Sequence, residues 1–220
     1  MSTQADLSPP DYNDQFLNIA EALTPKLTYL ARTPVTRIAL RHSSDALHKV
    51  AVVRIADPCF PAEFSCNGQT VIYDFGEHMV GSLQLSVDCI GNPQDAPVKL
   101  KLTFGEIPAE LYYSLDGYQG WLSSSWFQEE TLYIDVTPDH FRLERRYSFR
   151  YLKVEVVAIS VKTVMEISKI TCYQQSSASS LSIPPSRYNG IWGVIDRTAR
   201  RTLRDCMQEV FEDGPKRDRR

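Results

Sequence analysis

Two stretches of the chain alternate with a period of two, and that pattern restricts the fold more than any other feature. In SLQLSVDCI (82–90), Leu83, Leu85 and Val87 face one way, and Gln84, Ser86 and Asp88 the other. In VKLKLTFGE (98–106), Val98, Leu100 and Leu102 oppose Lys99, Lys101 and Thr103. One apolar and one polar face per strand is the signature of antiparallel sheets that are wet on one side. Further short runs rich in β-branched and aromatic residues surround them: LTYLA, TRIALRH, HKVAVVRIA and TVIYDFG before, ETLYIDVT, FRLERRYSF, RYLKVEVVAI and MEISKITCYQ after. Between Ser43 and Ser176 no segment sustains a 3.6-residue period. Many short strands without intervening helices predict a mostly β fold, a jelly-roll-like antiparallel β-sandwich over residues 27–175. Residues 1–26 read as an arm in which Pro9-Pro10 forbids an early helix and FLNIAEALTP allows a short one.

The period then changes. QQSSASSLSIPPS (174–186) is rich in Ser and Pro, which predicts a linker over 176–186. Beyond it Tyr188, Ile191, Trp192, Ile195, Ala199, Leu203, Cys206, Met207, Val210 and Phe211 recur every three or four residues. This predicts one long amphipathic helix from Tyr188 to Phe211 that Gly214-Pro215 ends, within a segment running over 187–220. So wide an apolar stripe needs a partner, either the sandwich or a helical domain that continues the fold. Left uncovered, it would invite self-association.

Charge narrows the function classes. The 220 residues carry 24 Lys and Arg against 27 Asp and Glu, a net charge of −3. From Arg187 onward there are nine basic and six acidic residues, so a mildly basic end follows an acidic body. Neither part is basic enough to predict a nucleic-acid partner. Asp196, Asp205 and Glu209 lie at helical spacing from the arginines of RTARR, which reads as a solvated, ion-paired face. Five scattered cysteines without a C-x-x-C pair predict free thiols in a reducing compartment. The start, MSTQADLSPPDYNDQ, lacks the pattern of a signal peptide, and no apolar run approaches a membrane span. The expectation is a cytoplasmic protein with no membrane partner. His42, His48, His78 and His140 lack metal-ligand spacing and read as surface or satisfied polar groups; no metal site and no cofactor are expected. DFG at 74–76 stands without any other kinase element, and no nucleotide-binding or serine-hydrolase motif is present.

Two segments could carry chemistry. LYYSLDGYQGWLSSSWF (111–127) gathers Tyr118, Trp121 and Trp126 in a long loop, where flat rings suit sugar binding or simply cover the end of the sandwich. EDGPKRDRR (212–220) sets Asp213 and Asp218 five residues apart, with Pro215 stiffening the turn and Arg217 beside the second carboxylate. On residue types alone this is a helix end with a charged tail. Its order also suits glycoside hydrolysis, which needs one carboxyl group to protonate the leaving oxygen and others to hold hydroxyls or activate water.

Four blocks decide between those readings: YDFGEHMVGSLQLSV, VKLKLTFGE, YSFRYLKVEV and IDRTARRTLRDCMQEVFEDGPKRDRR. In wording and order they resemble bacterial and fungal α-L-rhamnosidases over residues 70–220, most specifically in the final thirty. The resemblance implies a β-sandwich ahead of an (α/α)6 barrel that cleaves terminal α-L-rhamnosyl linkages with inversion and without a cofactor. It makes Asp213 a ligand of the rhamnose hydroxyls, with Arg217 helping to orient the carboxylates. It makes Asp218 the general acid, at a place that many members fill with Glu. The general base would lie beyond residue 220, so the chain reads as the N-terminal part of such an enzyme, inactive by itself, with a rhamnosyl glycoside as partner. The alternative is a stand-alone jelly-roll carbohydrate-binding or interaction module, with the aromatic segment of Tyr118, Trp121 and Trp126 as its sugar platform.

Overall fold

The computed structural model describes residues 13–216 except Pro58, Asn92, Pro93 and Leu122. A short helix, α1 (Asp14–Leu23), is capped by Asn13, whose Oδ1 accepts from the backbone N–H groups of Gln15 and Phe16. The strands β1 (Thr28–Arg32), β2 (Thr36–His42), β3 (Val50–Ile55), β4 (Ala62–Phe64), β5 (Thr70–Ile90) and β6 (Val98–Gly105) follow. After one helical turn, α2 (Ala109–Tyr112), come β7 (Glu129–Ile134), β8 (Asp139–Arg142), β9 (Tyr147–Ala158) and β10 (Val164–Ser176). The helix α3 (Gly190–Cys206) closes the described chain.

All strand pairs are antiparallel, and β5 organises them. Its first part pairs with β9, from Thr70↔Glu155 to Gly81↔Tyr147, and with β2 on the other edge. Its second part pairs with β10, from Gly81↔Gln174 to Ile90↔Val164, and with β8. One bent strand thereby belongs to both layers of a β-sandwich, the usual way a sheet turns a corner. Two glycines permit the bend. Gly76 has φ +86° and donates its N–H to Asp74 Oδ1 at 2.7 Å. At Gly81 a Cβ would sit 2.2 Å from the carbonyl oxygen of Tyr173, so only glycine lets β10 approach.

The alternating stretches bury the faces they predict. Leu83, Leu85, Val87, Val98, Leu100 and Leu102 join Tyr73, Phe75, Met79, Phe104, Phe149 and Ile167 in one core drawn from both layers. Thr103 departs from the pattern: it is buried, and its hydroxyl donates to Glu129 Oε1 at 3.3 Å. The blocks containing DFG and SFR also meet here. Asp74 accepts two hydrogen bonds from Arg150, at 2.8 and 2.9 Å, across the β5–β9 pair.

The C-terminal helix corrects one expectation and narrows another. It ends at Cys206 rather than Phe211, because Ser176 Oγ donates to the carbonyls of Arg204 (2.6 Å) and Met207 (2.8 Å) and Ser177 N–H to Met207 (2.7 Å). Those bonds to the end of β10 replace the next helical turn. It also docks by its polar side: Arg204, Asp205 and Gln208 are buried, while Ile191, Trp192, Val194, Ile195 and Leu203 are exposed. Of the pairs expected along the helix, Arg200–Asp196 forms at 3.0 Å, whereas Asp205 turns toward the sandwich.

Candidate functional site

The junction of sandwich and helix gathers a cluster of ionisable groups. His78 lies on β5 two residues after Gly76, Glu106 follows β6, Ser148 lies on β9 and Asp205 on the last turn of α3. His78 Nδ1 stands 2.7 Å from Asp205 Oδ2, and Nε2 lies 3.0 Å from Ser148 Oγ and 3.3 Å from Glu106 Oε1. Ser148 Oγ donates to Glu106 Oε1 at 3.0 Å and its N–H to Gln128 at 3.0 Å. Burial alone would disfavour the imidazolium, but the hydrogen bonds and charges of Asp205 and Glu106 outweigh it, and the His78 pKa rises to about 9. Glu106 moves the other way: burial opposes its charge, yet His78 and Lys216 hold its carboxyl below the usual range. The cluster is a charged clasp between β5, β6 and α3.

Arg204 extends it. Its guanidinium reaches Asp205 Oδ1 at 2.8 Å, the carbonyls of Leu181 (3.1 Å) and His78 (3.2 Å), and Glu77 Oε2 at 4.0 Å. Glu77 in turn pairs with Arg32 of β1 at 2.7 Å.

A second set of ion pairs fixes the loop after α3. Glu212 is buried against Arg146, which also donates to Gln208 Oε1 at 3.2 Å. Lys216 Nζ donates to Glu110 Oε1 at 2.6 Å, and Glu110 Oε2 accepts the Glu106 N–H at 2.7 Å. Asp213 sits exposed between these two anchors. A loop held at both ends keeps the backbone that carries this carboxylate in place.

The aromatic segment lies next to this loop. Tyr118 packs edge-on against Phe127, with centroids 4.8 Å apart, and Phe127 lines a cavity of about 40 Å³ together with Lys216, Glu110 and Gln128. Trp126 is partly buried in a single helical turn, whereas Trp121 is 90% exposed. Arg217 and Asp218 lie outside the described residues. Among the described residues no group of three His, Cys, Asp or Glu side chains could hold a metal, and no helix is long and apolar enough to cross a membrane.

From sequence, His78 carries no role beyond a surface or satisfied polar group, and Arg146 and Glu110 have no evident pairing. The signal was faint: GEH directly after the glycine turn, and an Arg-Asp pair at 204–205 on a helix otherwise striped with apolar residues.

Comparison with known proteins agrees with this architecture. Residues 34–174, which run from the approach to β2 through most of β10, match the glycosyl hydrolase family 78 alpha-rhamnosidase N-terminal domain. A rhamnosidase from Klebsiella oxytoca, solved with rhamnose bound, is 42% identical, with a TM-score of 0.86 over 93% of this chain and 40% of its own. The chain therefore spans less than half the length of that relative. The family 78 rhamnosidase of Bacillus sp. GL1 (16% identity, TM-score 0.52, 75% of this chain and 17% of its own) shares the fold. So does the α-L-rhamnosidase of Dictyoglumus thermophilum (13%, 0.51, 88% and 18%). No curated protein sequence matches the chain.

Proposed function

The chain belongs to the glycosyl hydrolase family 78 alpha-rhamnosidases through their N-terminal domain, and from that premise we propose that it is the sandwich and first catalytic-domain helix of an enzyme that hydrolyses terminal α-L-rhamnosyl linkages with inversion. The observation that carries the proposal is the loop that follows α3. Arg146–Glu212 on one side and Lys216–Glu110 on the other hold the Asp213 backbone against the sandwich. In this reading Asp213 accepts hydrogen bonds from rhamnose hydroxyls, Arg217 orients the carboxylates and Asp218 donates the proton to the leaving oxygen. Inversion also needs a base about 6.5–9.5 Å from that acid, with water between them. We assign the base to a carboxylate beyond residue 220.

The relative with rhamnose bound supports carbohydrate as the ligand class for this chain too. The exposed stripe of α3, centred on Ile191, Trp192 and Ile195, is the surface through which the isolated chain would self-associate.

The test is to express whatever reading frame continues past Arg220 and assay hydrolysis of an aryl α-L-rhamnoside. The longer product should hydrolyse it with inversion, Asp218→Asn should lower kcat by about 10²–10⁴-fold, and residues 1–220 alone should show no turnover. Full activity of the Asp218→Asn enzyme, or a different sugar preference, would overturn the assignment.

A further inference from the structure

Beside the acidic loop, the outer face of β7, β6 and β9 forms a groove of about 600 Å³, within the range of small-ligand sites. Its floor is built from two rungs of paired strands. One rung sets Thr131, Lys101 and Glu155 side by side, and the next sets Glu129, Thr103 and Lys153. Neighbouring strands stand about 4.8 Å apart and the two rungs about 7 Å, a spacing on the scale of a pyranose ring. Donors and acceptors alternate across this grid. The lysines are held in place: Lys101 Nζ lies 3.2 Å from Glu129 and 3.6 Å from Asp116, and Lys153 Nζ is 3.8 Å from Glu155.

One wall is equally fixed. It rises from α2 to Asp116, rooted by the buried Leu111 and by Tyr113 Oη, which donates to the His48 carbonyl at 3.1 Å. Tyr112 and Tyr113 are 39% and 48% exposed, so ring surface stays available at the groove's rim. The groove leads to the candidate active site. It shares Thr103, Glu110 and Leu115 with the 40 Å³ cavity that Lys216 lines, and Glu110 is the carboxylate that Lys216 grips.

We propose that this groove binds the leaving group of the substrate, and that it selects a neutral, hydroxylated glycosyl residue over a flat apolar one. The inference rests on the rhamnosidase reading above, which assigns Asp213, exposed between its two anchors, to the rhamnose hydroxyls. Floor charges of both signs, already matched by one another, offer little attraction to an anionic sugar and many hydrogen bonds to hydroxyls. The tyrosine faces at the rim suit the C–H surface of a pyranose. A bare apolar aglycone would desolvate these polar groups without satisfying them.

The experiment is an NMR titration of the ¹⁵N-labelled 220-residue chain with α-L-rhamnosyl-(1→6)-D-glucose and, separately, with L-rhamnose. The disaccharide should shift amides of 99–103, 129–131 and 153–155, and L-rhamnose should leave them unmoved. Lys101→Met, whose spectrum reports whether the sheet is intact, should weaken disaccharide binding about tenfold, and Thr131→Val should weaken it as well. The inference is overturned if the disaccharide leaves those amides in place, if L-rhamnose moves them equally, or if neither variant weakens binding. Aryl-rhamnoside hydrolysis tests the underlying reading separately, since an active enzyme with a silent groove removes this inference alone.

Discussion

Replacing His78 with Gln should loosen the docking of α3 while leaving the sandwich folded. The helix docks in part through the network His78 centres, and Gln can keep a hydrogen bond to Asp205 but carries no charge. Because the folded pKa of about 9 exceeds the ordinary 6.5, the imidazolium stabilises docking fully below about pH 6.5, and that stabilisation is lost as pH rises through 9. At about 1.4 kcal/mol per pH unit the difference corresponds to about 3 kcal/mol. The ring is 30% exposed, and solvent screening lowers the figure to roughly 2 kcal/mol. At the acid end the sign reverses for Glu106: its depressed pKa adds stability above the ordinary carboxylate range, which falls away as the group protonates. Docking is therefore strongest between those two limits. Hydrogen exchange of the α3 amides, corrected for intrinsic rates, should show about 30-fold less protection in His78→Gln than in the wild type at pH 6.5, and the two proteins should converge by pH 10. If the difference between them does not change with pH, or if His78→Gln lowers the protection of β6 and β9 as much as that of α3, the clasp is not what holds the helix.

Other outcomes follow from single contacts. Arg146→Ala leaves Glu212 buried without its partner and should cost roughly 2–4 kcal/mol locally, seen as faster exchange over 207–216 with little change in the main unfolding transition. Phe104→Ala removes a ring stacked 3.9 Å from Tyr147 and set edge-on to Phe149, and should lower global stability by about 3–5 kcal/mol in a urea melt. Gly81→Ala forces a methyl group into the Tyr173 carbonyl where β5 passes between layers, so soluble folded protein should be lost or its Tm fall sharply. Trp192→Glu, on the exposed stripe, should shift the isolated chain toward monomer in sedimentation velocity without altering its circular dichroism.

The β-sandwich was legible in the sequence because its signal is local. Side chains of a strand alternate whatever the strand pairs with, so Leu83–Leu85–Val87 and Val98–Leu100–Leu102 declared their buried faces at once. The acidic motif stood out only as a spacing, Asp213 and Asp218 five residues apart, and Asp218 lies outside the described residues. The long strand, the helix orientation and the clasp were not legible. β5 reads as two strands because the DFG turn looks like an end, and only the separate partners on either side of Gly81 make it one element serving both layers. Amphipathic reasoning shows that the apolar stripe of α3 needs a cover but not which side of the helix meets the sandwich; the polar side does, because its partners are charged groups far away in the chain. His78 and Asp205 are separated by 127 residues, and Lys216 and Glu110 by 106. Periodicity records what each residue prefers of its neighbours along the chain. Which charges meet across it depends on the path of the backbone, and tertiary structure alone sets that path.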